Sequence, residues 1–331
     1  MRTTLASCGL AAALATAGAM ASAQEMTADE FAASFFPMLL AGQGEELLAS
    51  MDIHEGIDTP RGGRVSGNEQ TLREFLAAEH VWLKEYGADA ETIRPVKTTA
   101  NEDRVVYELN MSFDKTPRPG GQRMAVVVDR DQDGTPADVR VYYIYGSITG
   151  DRTYHRPPVL DVNPEVLYSL APPVLHYVSA INNSSFDAWR VFSGEGSYFN
   201  SFKYPMLKRF YAVGTIDPGG IPLRPAAVTC DNTTCALEEN LASWGEQTFA
   251  NDTGGLAIYD YNDKGQVTGA RIYDDIPNLF FLQPGWMAEN WEELSEMLDG
   301  ADCSMSYTPK PDDDPYMLWG MLTTAPCENP G

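Results

Sequence analysis

The sequence predicts an α+β protein in which one module of roughly 130 residues occurs twice, and three observations carry that reading. First, the second half repeats the first at a nearly constant offset. Leu72–Leu76 corresponds to Leu207–Tyr211 at 135, Glu108–Met111 to Glu238–Leu241 at 130, Ala125–Gly134 to Leu256–Gly265 at 131, and Arg140–Tyr142 to Arg271–Tyr273 at 131. Each match is short, but four in order mark a duplication. Second, each copy places helical periodicity ahead of strand patterning. Third, β-branched and aromatic runs separated by Gly, Pro or Asp turns close each copy as an antiparallel meander. Helices first and a meander last put the helices on one face of a curved sheet, leaving a conical space between them.

In the first copy, Thr27 is an N-cap with Glu30 three residues on, and the helix runs to about Ala41. Glu45–Met51 forms a short second helix. Asn68–Tyr86 carries apolar residues at 72, 75, 76, 82 and 83, a helical period. Strands follow at 91–99, 103–114, 122–130 and 136–147. The second copy opens with Asn163-Pro164-Glu165, an N-cap followed by proline at the first helical position. Pro172-Pro173 breaks that helix in two, and the run from Arg156-Pro157-Pro158 to Asn163 is a short stiff linker. The resulting division is 1–23, 24–157, 158–277 and 278–331. The last segment has no partner in the first copy and contains an amphipathic helix, Glu289–Leu298, before a closed tail.

The first segment is expected to be removed. Met1-Arg2 precedes an apolar stretch from Leu10 to Met20, and Ala21-Ser22-Ala23 supplies small residues for cleavage after Ala23. That is a secretory signal, too short for a membrane anchor, and it directs the chain to the periplasm or beyond the cell. The lipoprotein-like run ending at Cys8 has too little apolar chain ahead of it. No other run of some 18 apolar residues exists, so membrane insertion is not expected. The full chain carries 23 basic and 47 acidic residues, net −24, and loss of Arg2 makes the mature chain −25. Such a surface repels nucleic acid and anionic lipid, whose binding relies on Lys and Arg.

Four of the five cysteines lie beyond the leader. Cys230 and Cys235 flank the turn-forming Asp231–Thr234, so a disulfide would staple a hairpin. Cys303 and Cys327 then pair by elimination and close the tail. A metal site is the rival reading, but it lacks CxxC spacing or a nearby histidine. The four histidines show no metal spacing either. Asp129–Gly134 reads like the start of a calcium loop, yet Arg140 occupies its twelfth position and Lys264 spoils the duplicate. A polar hairpin accounts for both. No nucleotide or nucleophile-elbow motif is present, and no cofactor is expected.

The element order, together with Cys235–Asn240, Trp244-Gly245, Ala270–Asp275, Arg140–Tyr142, Ile148–Gly150 and Arg156–Pro158, resembles the nuclear transport factor 2-like superfamily and its SnoaL-like branch. The resemblance covers about Thr27 to Asp275. It implies a cone-shaped fold whose members include ketosteroid isomerases, polyketide cyclases, dehydratases, epoxide hydrolases and binding modules. Gly56–Pro60 with Gly67 and Leu72–Phe75 is similar to the isomerase base segment, which places Asp58 at the general-base position. An Asx-type turn is the structural alternative there. The isomerases' oxyanion donors fall near Ser34-Phe35 and Val126, where neither donor is present, leaving Tyr107, Tyr142 or Tyr143 as substitutes. In the second copy Asn200 falls near the base position, whereas Asp274 and Asp275 match the acid-bearing last strand of the cyclases. Strand alternation points one of these inward, unless both are solvated at the strand end. Catalytic candidates are therefore Asp58, Asp274 and Asp275. Pocket candidates are Tyr107, Tyr142, Tyr143, Asn200, Trp244 and Tyr273.

Three function classes follow. The first is an exported module holding a small apolar or amphipathic molecule. The second is a cofactor-independent isomerase, cyclase or dehydratase. The third is an interaction protein whose sheet faces pack on each other or on a partner, with homo-oligomerisation left open. The slight preference is for the second copy as the functional one.

Overall fold

Thr27 caps the first helix as its spacing to Glu30 requires: its Oγ1 accepts from the Glu30 N–H at 3.3 Å, and Glu30 Oε2 accepts from the Thr27 N–H at 3.0 Å. A computed structural model describes residues 26–51, 56–116, 120–151, 154–183, 191–200, 206–207, 223–244 and 247–273, with positions 292, 308 and 310–311. The first module holds α1 (Ala28–Leu40), α2 (Gly44–Leu48), β1 (Gly56–Thr59), β2 (Gly63–Val65), α3 (Glu69–Glu85), β3 (Ala88–Ala100), β4 (Arg104–Phe113), β5 (Gly120–Arg130), β6 (Pro136–Tyr142) and α4 (Tyr145–Thr149). The second holds a 3₁₀ turn (Pro164–Ser169), α5 (Pro172–Asn182), β7 (Phe192–Asn200), β8 (Met206–Leu207), β9 (Leu223–Cys230), β10 (Thr234–Trp244), β11 (Gln247–Tyr261) and β12 (Val267–Ile272).

The duplication is carried into the strand order. One sheet runs β2-β1-β6-β5-β4-β3 and the other β8-β7-β12-β11-β10-β9. Their registers agree: Val127 lies opposite Arg140, and Ile258 opposite Arg271. Two expectations change. Leu207, matched to helical Leu72 on sequence, lies in β8, so the 135 offset joined unlike elements. The last strand of the first module stops at Tyr142 and the chain turns into α4, closed by Gly150 at φ 81°.

Alternation along each strand sorts its side chains to two faces. In the first module Val105, Leu109, Met111, Met124, Val126 and Val128 pack beneath Phe31, Phe35 and Leu39 of α1 and Leu72, Leu76 and Leu83 of α3. The intervening residues Val106, Ala125, Val127 and Tyr142 face the other way and meet Ala236, Leu256, Ile258 and Tyr273 of the second sheet. The two sheets therefore stand back to back.

A reciprocal polar clasp crosses that interface. Arg140 is completely buried, and its Nε and Nη2 donate to the two oxygens of Glu238 at 2.7 and 3.0 Å. Nη1 donates to Asp138 at 2.7 Å and to Asp129 at 3.0 Å, while the Tyr142 hydroxyl donates to Glu238 at 2.7 Å. In the opposite direction, Arg271 Nε and the Tyr273 hydroxyl donate to Glu108 at 2.6 and 2.7 Å, and Arg271 also pairs with Asp260. Burial alone would raise the Glu238 pKa, but Arg140 and Arg104 hold it below the ordinary value. Burial likewise opposes ionisation of Asp260, yet its bonds to Arg271, Thr234 and Lys97 bring it down to about 2.

The linker adds a second seam. Arg156 O accepts from the Gly254 N–H at 2.9 Å, Leu160 O accepts from Asn240 Nδ2 at 3.1 Å, and the Asn163 N–H donates to Pro225 O at 2.8 Å. It thus crosses three strands of the second sheet. Cys230 and Cys235 are disulfide-bonded on one cross-strand rung, where the first module has Ala100 opposite Val105. Cys303 and Cys327 lie outside the described residues.

Arg140→Ala leaves Glu238, Asp129 and Asp138 without their shared cation, so it should destabilise the chain by about 3–5 kcal/mol in denaturant unfolding. Arg140→Met with Glu238→Met should cost markedly less, because Asp129 keeps Arg104, Asp138 keeps Arg64, and Glu238, the carboxylate most dependent on Arg140, is gone. Exchanging the disulfide for the first module's own residues, Cys230→Ala with Cys235→Val, should cost only about 2 kcal/mol, since the closed loop is short. The depressed pKa values of Asp260, Asp129 and Glu238 contribute stability fully above their unfolded values. Unfolding free energy measured against pH should therefore hold near neutrality and fall from about pH 5 towards about pH 2 as these carboxylates protonate.

Candidate functional site

Strand β1 shows what alternation does to the sequence-derived candidates. Ile57 belongs to the core under the helices, so Asp58 faces the opposite side and Thr59 returns to the helix side. Asp58 is buried and ion-paired with Arg156 of the linker, whose guanidinium also donates to Val141 O at 2.7 Å and lies 3.9 Å over the Tyr142 ring. The expected base therefore sits behind the sheet with its charge neutralised, outside the cone. Tyr142 and Tyr273 are likewise removed from the pocket set, because both hydroxyls serve the interface carboxylates.

The helix side of the first module has its own polar rim. Glu79 of α3 is buried, and its Oε1 accepts from Thr59 Oγ1 at 3.1 Å and from Arg61 Nη1 at 2.9 Å. Burial raises the Glu79 pKa, against the lowering effect of Arg61 and Thr59. Tyr143 lies alongside, stacked on Trp82 with ring centroids 5.8 Å apart, and Trp82 stacks in turn on Tyr145. Burial and then the Glu79 charge push the Tyr143 phenol well above its usual range. Tyr107 is half-buried on this same side, against the core. Beneath the rim the cone is filled: Phe31, Phe35, Phe36, Met111, Phe113, Met124 and Val126 are all at most 2% exposed.

The second module departs from this packing at one rung. In the first, Leu109 and Met124 lie opposite each other on β4 and β5, both wholly buried in the core. The equivalent rung on β10 and β11 is Glu239 opposite Gly255. Two large apolar side chains are thus replaced by a carboxylate, 3% exposed, and no side chain at all. Neighbouring exchanges trim the same face further, with Ala257 for Val126 and Ala270 for Val139. Tyr177 of α5 packs its ring against Phe192 and Tyr259, at centroid distances of 5.6 and 5.4 Å. Glu238 and Glu239 are consecutive, so one serves the interface and the other faces the opposite side of the sheet. That split was readable from a Glu-Glu pair on a strand, since neighbours on a strand cannot share a face.

The remaining candidates are placed only in part. Asn200 lies opposite Ile272, one residue beyond Phe199, which takes the register position of Asp58. Trp244 ends β10 opposite Gln247. The side chains of both, and Asp274 and Asp275 entirely, lie outside the described residues. The turns that begin like calcium loops are polar hairpins closed on themselves: Asp131 Oδ1 accepts from the N–H groups of Asp133 and Thr135, and Asn262 Oδ1 from those of Lys264 and Gln266. Among the described residues no group of His, Cys, Asp and Glu is disposed to hold a metal, and no helix is long and apolar enough to cross a membrane.

Neither a family model nor a curated protein matches the chain. Solved structures do. An NTF2-like protein from Cytophaga hutchinsonii is 12% identical, with 31% of this chain and 86% of that one covered at a TM-score of 0.27. An NTF2-like protein from Anabaena variabilis is 22% identical over 37% of this chain and 87% of its own, at 0.28. A protein with a ketosteroid isomerase-like fold from Catenulispora acidiphila, in complex with trimethylamine, is 14% identical over 37% and 91%, at 0.29. The solved structures to which this chain is similar are NTF2-like and ketosteroid isomerase-like proteins, each matching about a third of it.

Proposed function

We propose that this chain, after export, binds a small, largely apolar molecule in the concave face of its second module. The observation that carries the reading is the exchange of the Leu109/Met124 rung for Glu239/Gly255. A packed core does not tolerate the loss of a methionine-sized side chain without something to occupy its volume, and a bound apolar molecule would occupy it. Four residues along the same strand from Gly255, Tyr259 packs with Tyr177 and Phe192 in an aromatic cluster that extends the apolar character of this side. The hairpin disulfide supports an oxidising compartment and hence export.

A second reading is favoured by the same carboxylate. Buried Glu239 would act as the general base of a cofactor-independent isomerase, cyclase or dehydratase, moving a proton on the bound molecule. Glu239→Gln separates the two, because it keeps shape and polar contact while removing base capacity. Binding with turnover lost marks the enzyme. Binding without any turnover in the unsubstituted chain marks the carrier.

Titration with the neutral amphipathic fluorophore N-phenylnaphthylamine, backed by native mass spectrometry of the exported chain, tests the site. Restoring the first module's residues with Glu239→Leu and Gly255→Met should weaken binding by about tenfold or more, or about 1.4 kcal/mol. Unchanged affinity in that double variant would place the ligand elsewhere.

A further inference from the structure

The residue that the family resemblance makes a base does something else here. Asp58 holds Arg156, and Arg156 holds the back of the proposed site. The Arg156 side chain is fixed by Asp58, by Val141 O and by the Tyr142 ring, all in the first module. Its carbonyl accepts from the Gly254 N–H at 2.9 Å in the second. Gly254 pairs across the sheet with Asn240, whose Nδ2 holds Leu160 O of the same linker. The next rung along these two strands is Glu239 opposite Gly255. One rung thus faces the linker and its neighbour faces the concave side.

The approach is close enough to exclude a side chain. A Cβ on Gly254 would lie 2.7 Å from Pro157 O and 3.2 Å from Pro158 Cα. Both contacts are backbone, so the linker itself would have to move. A shift of the Asn240/Gly254 rung carries the Glu239/Gly255 rung with it, because the two share β10 and β11. Placement of a binding rung to within a fraction of an ångström depends on such support.

We infer that Asp58 and Arg156 form a positioning pair, which clamps the interdomain linker against β10 and β11 and so sets the geometry of the ligand-binding rung in the other module. This inference rests on the proposed site. It makes Asp58 a residue whose loss weakens binding without its touching the ligand.

The test uses the full chain carrying Asp58→Asn, which keeps size but removes the charge that fixes Arg156. Amide hydrogen exchange over residues 254–257 should quicken by about tenfold, and N-phenylnaphthylamine should bind several-fold more weakly. Asp58→Glu should recover part of both losses. Should Asp58→Asn fail to fold, Gly254→Ala dislodges the linker from the other side with the ion pair intact, and the same two changes are expected. Wild-type exchange rates at 254–257 in the variants overturn the inference. So does faster exchange with unchanged dye affinity, provided Glu239→Leu/Gly255→Met abolishes binding, which shows the site itself to be sound. Absence of dye binding in the unsubstituted chain sinks the site, and the inference falls with it.

Discussion

A guanidinium removed from water, as that of Arg140 is, survives only where carboxylates surround it. Here they come from both modules, two from its own sheet and one from the other. That constraint orders much of what surrounds it. Glu238 takes Arg140 on both its oxygens, Tyr142 is committed to Glu238, and Arg156 lies over the Tyr142 ring. The apolar rungs between the clasps, from Val106 and Val127 to Leu256 and Ile258, then pack at a spacing the ion pairs have already set. Burial of such a pair is weak evidence for net stability but strong evidence for a unique alignment, because a one-residue slip would misplace every charge.

The two clasps are not equal. Glu238 is bonded at both oxygens by Arg140 and lies within reach of Arg104, whereas Glu108 takes Arg271 and Tyr273 on a single oxygen. Thr234 occupies the position equivalent to Arg104 and turns instead to Asp260. The same divergence runs through the concave faces. One is a filled hydrophobic wedge. The other has given up leucine and methionine for an acid and a glycine.

Much of the fold was legible because it rests on local chemistry. Thr27 with Glu30, Asn163 before Pro164, and Cys230 with Cys235 around a polar turn each act within a few residues. The duplication added the long-range order. The site was less legible, and for a definite reason: a resemblance fixes a position to within a residue or so, while a strand changes face at every residue. Asp58 and Thr59 differ by one place and lie on opposite sides of the sheet. Tyr142 and Tyr143 repeat the lesson. What could have been read was the Glu238-Glu239 pair and the Arg-x-Tyr motif common to both copies, since charges repeated inside apolar strands demand partners. The identity of those partners across the interface depended on how the sheets meet, which no local pattern encodes.

Joining the modules in one chain has a consequence for how they can change. Were the same back-to-back pair made from two identical chains, every substitution would appear twice, and opening one cone would hollow out the other. A two-fold assembly cannot keep Leu109 and Met124 in one half and Glu239 and Gly255 in the other. Here the Glu239/Gly255 exchange occurs once, and the first module's packed wedge stays whole. The covalent linker frees the pair from symmetry: one module can specialise as foundation while the other varies its interior, and the partner's proximity never depends on protein concentration.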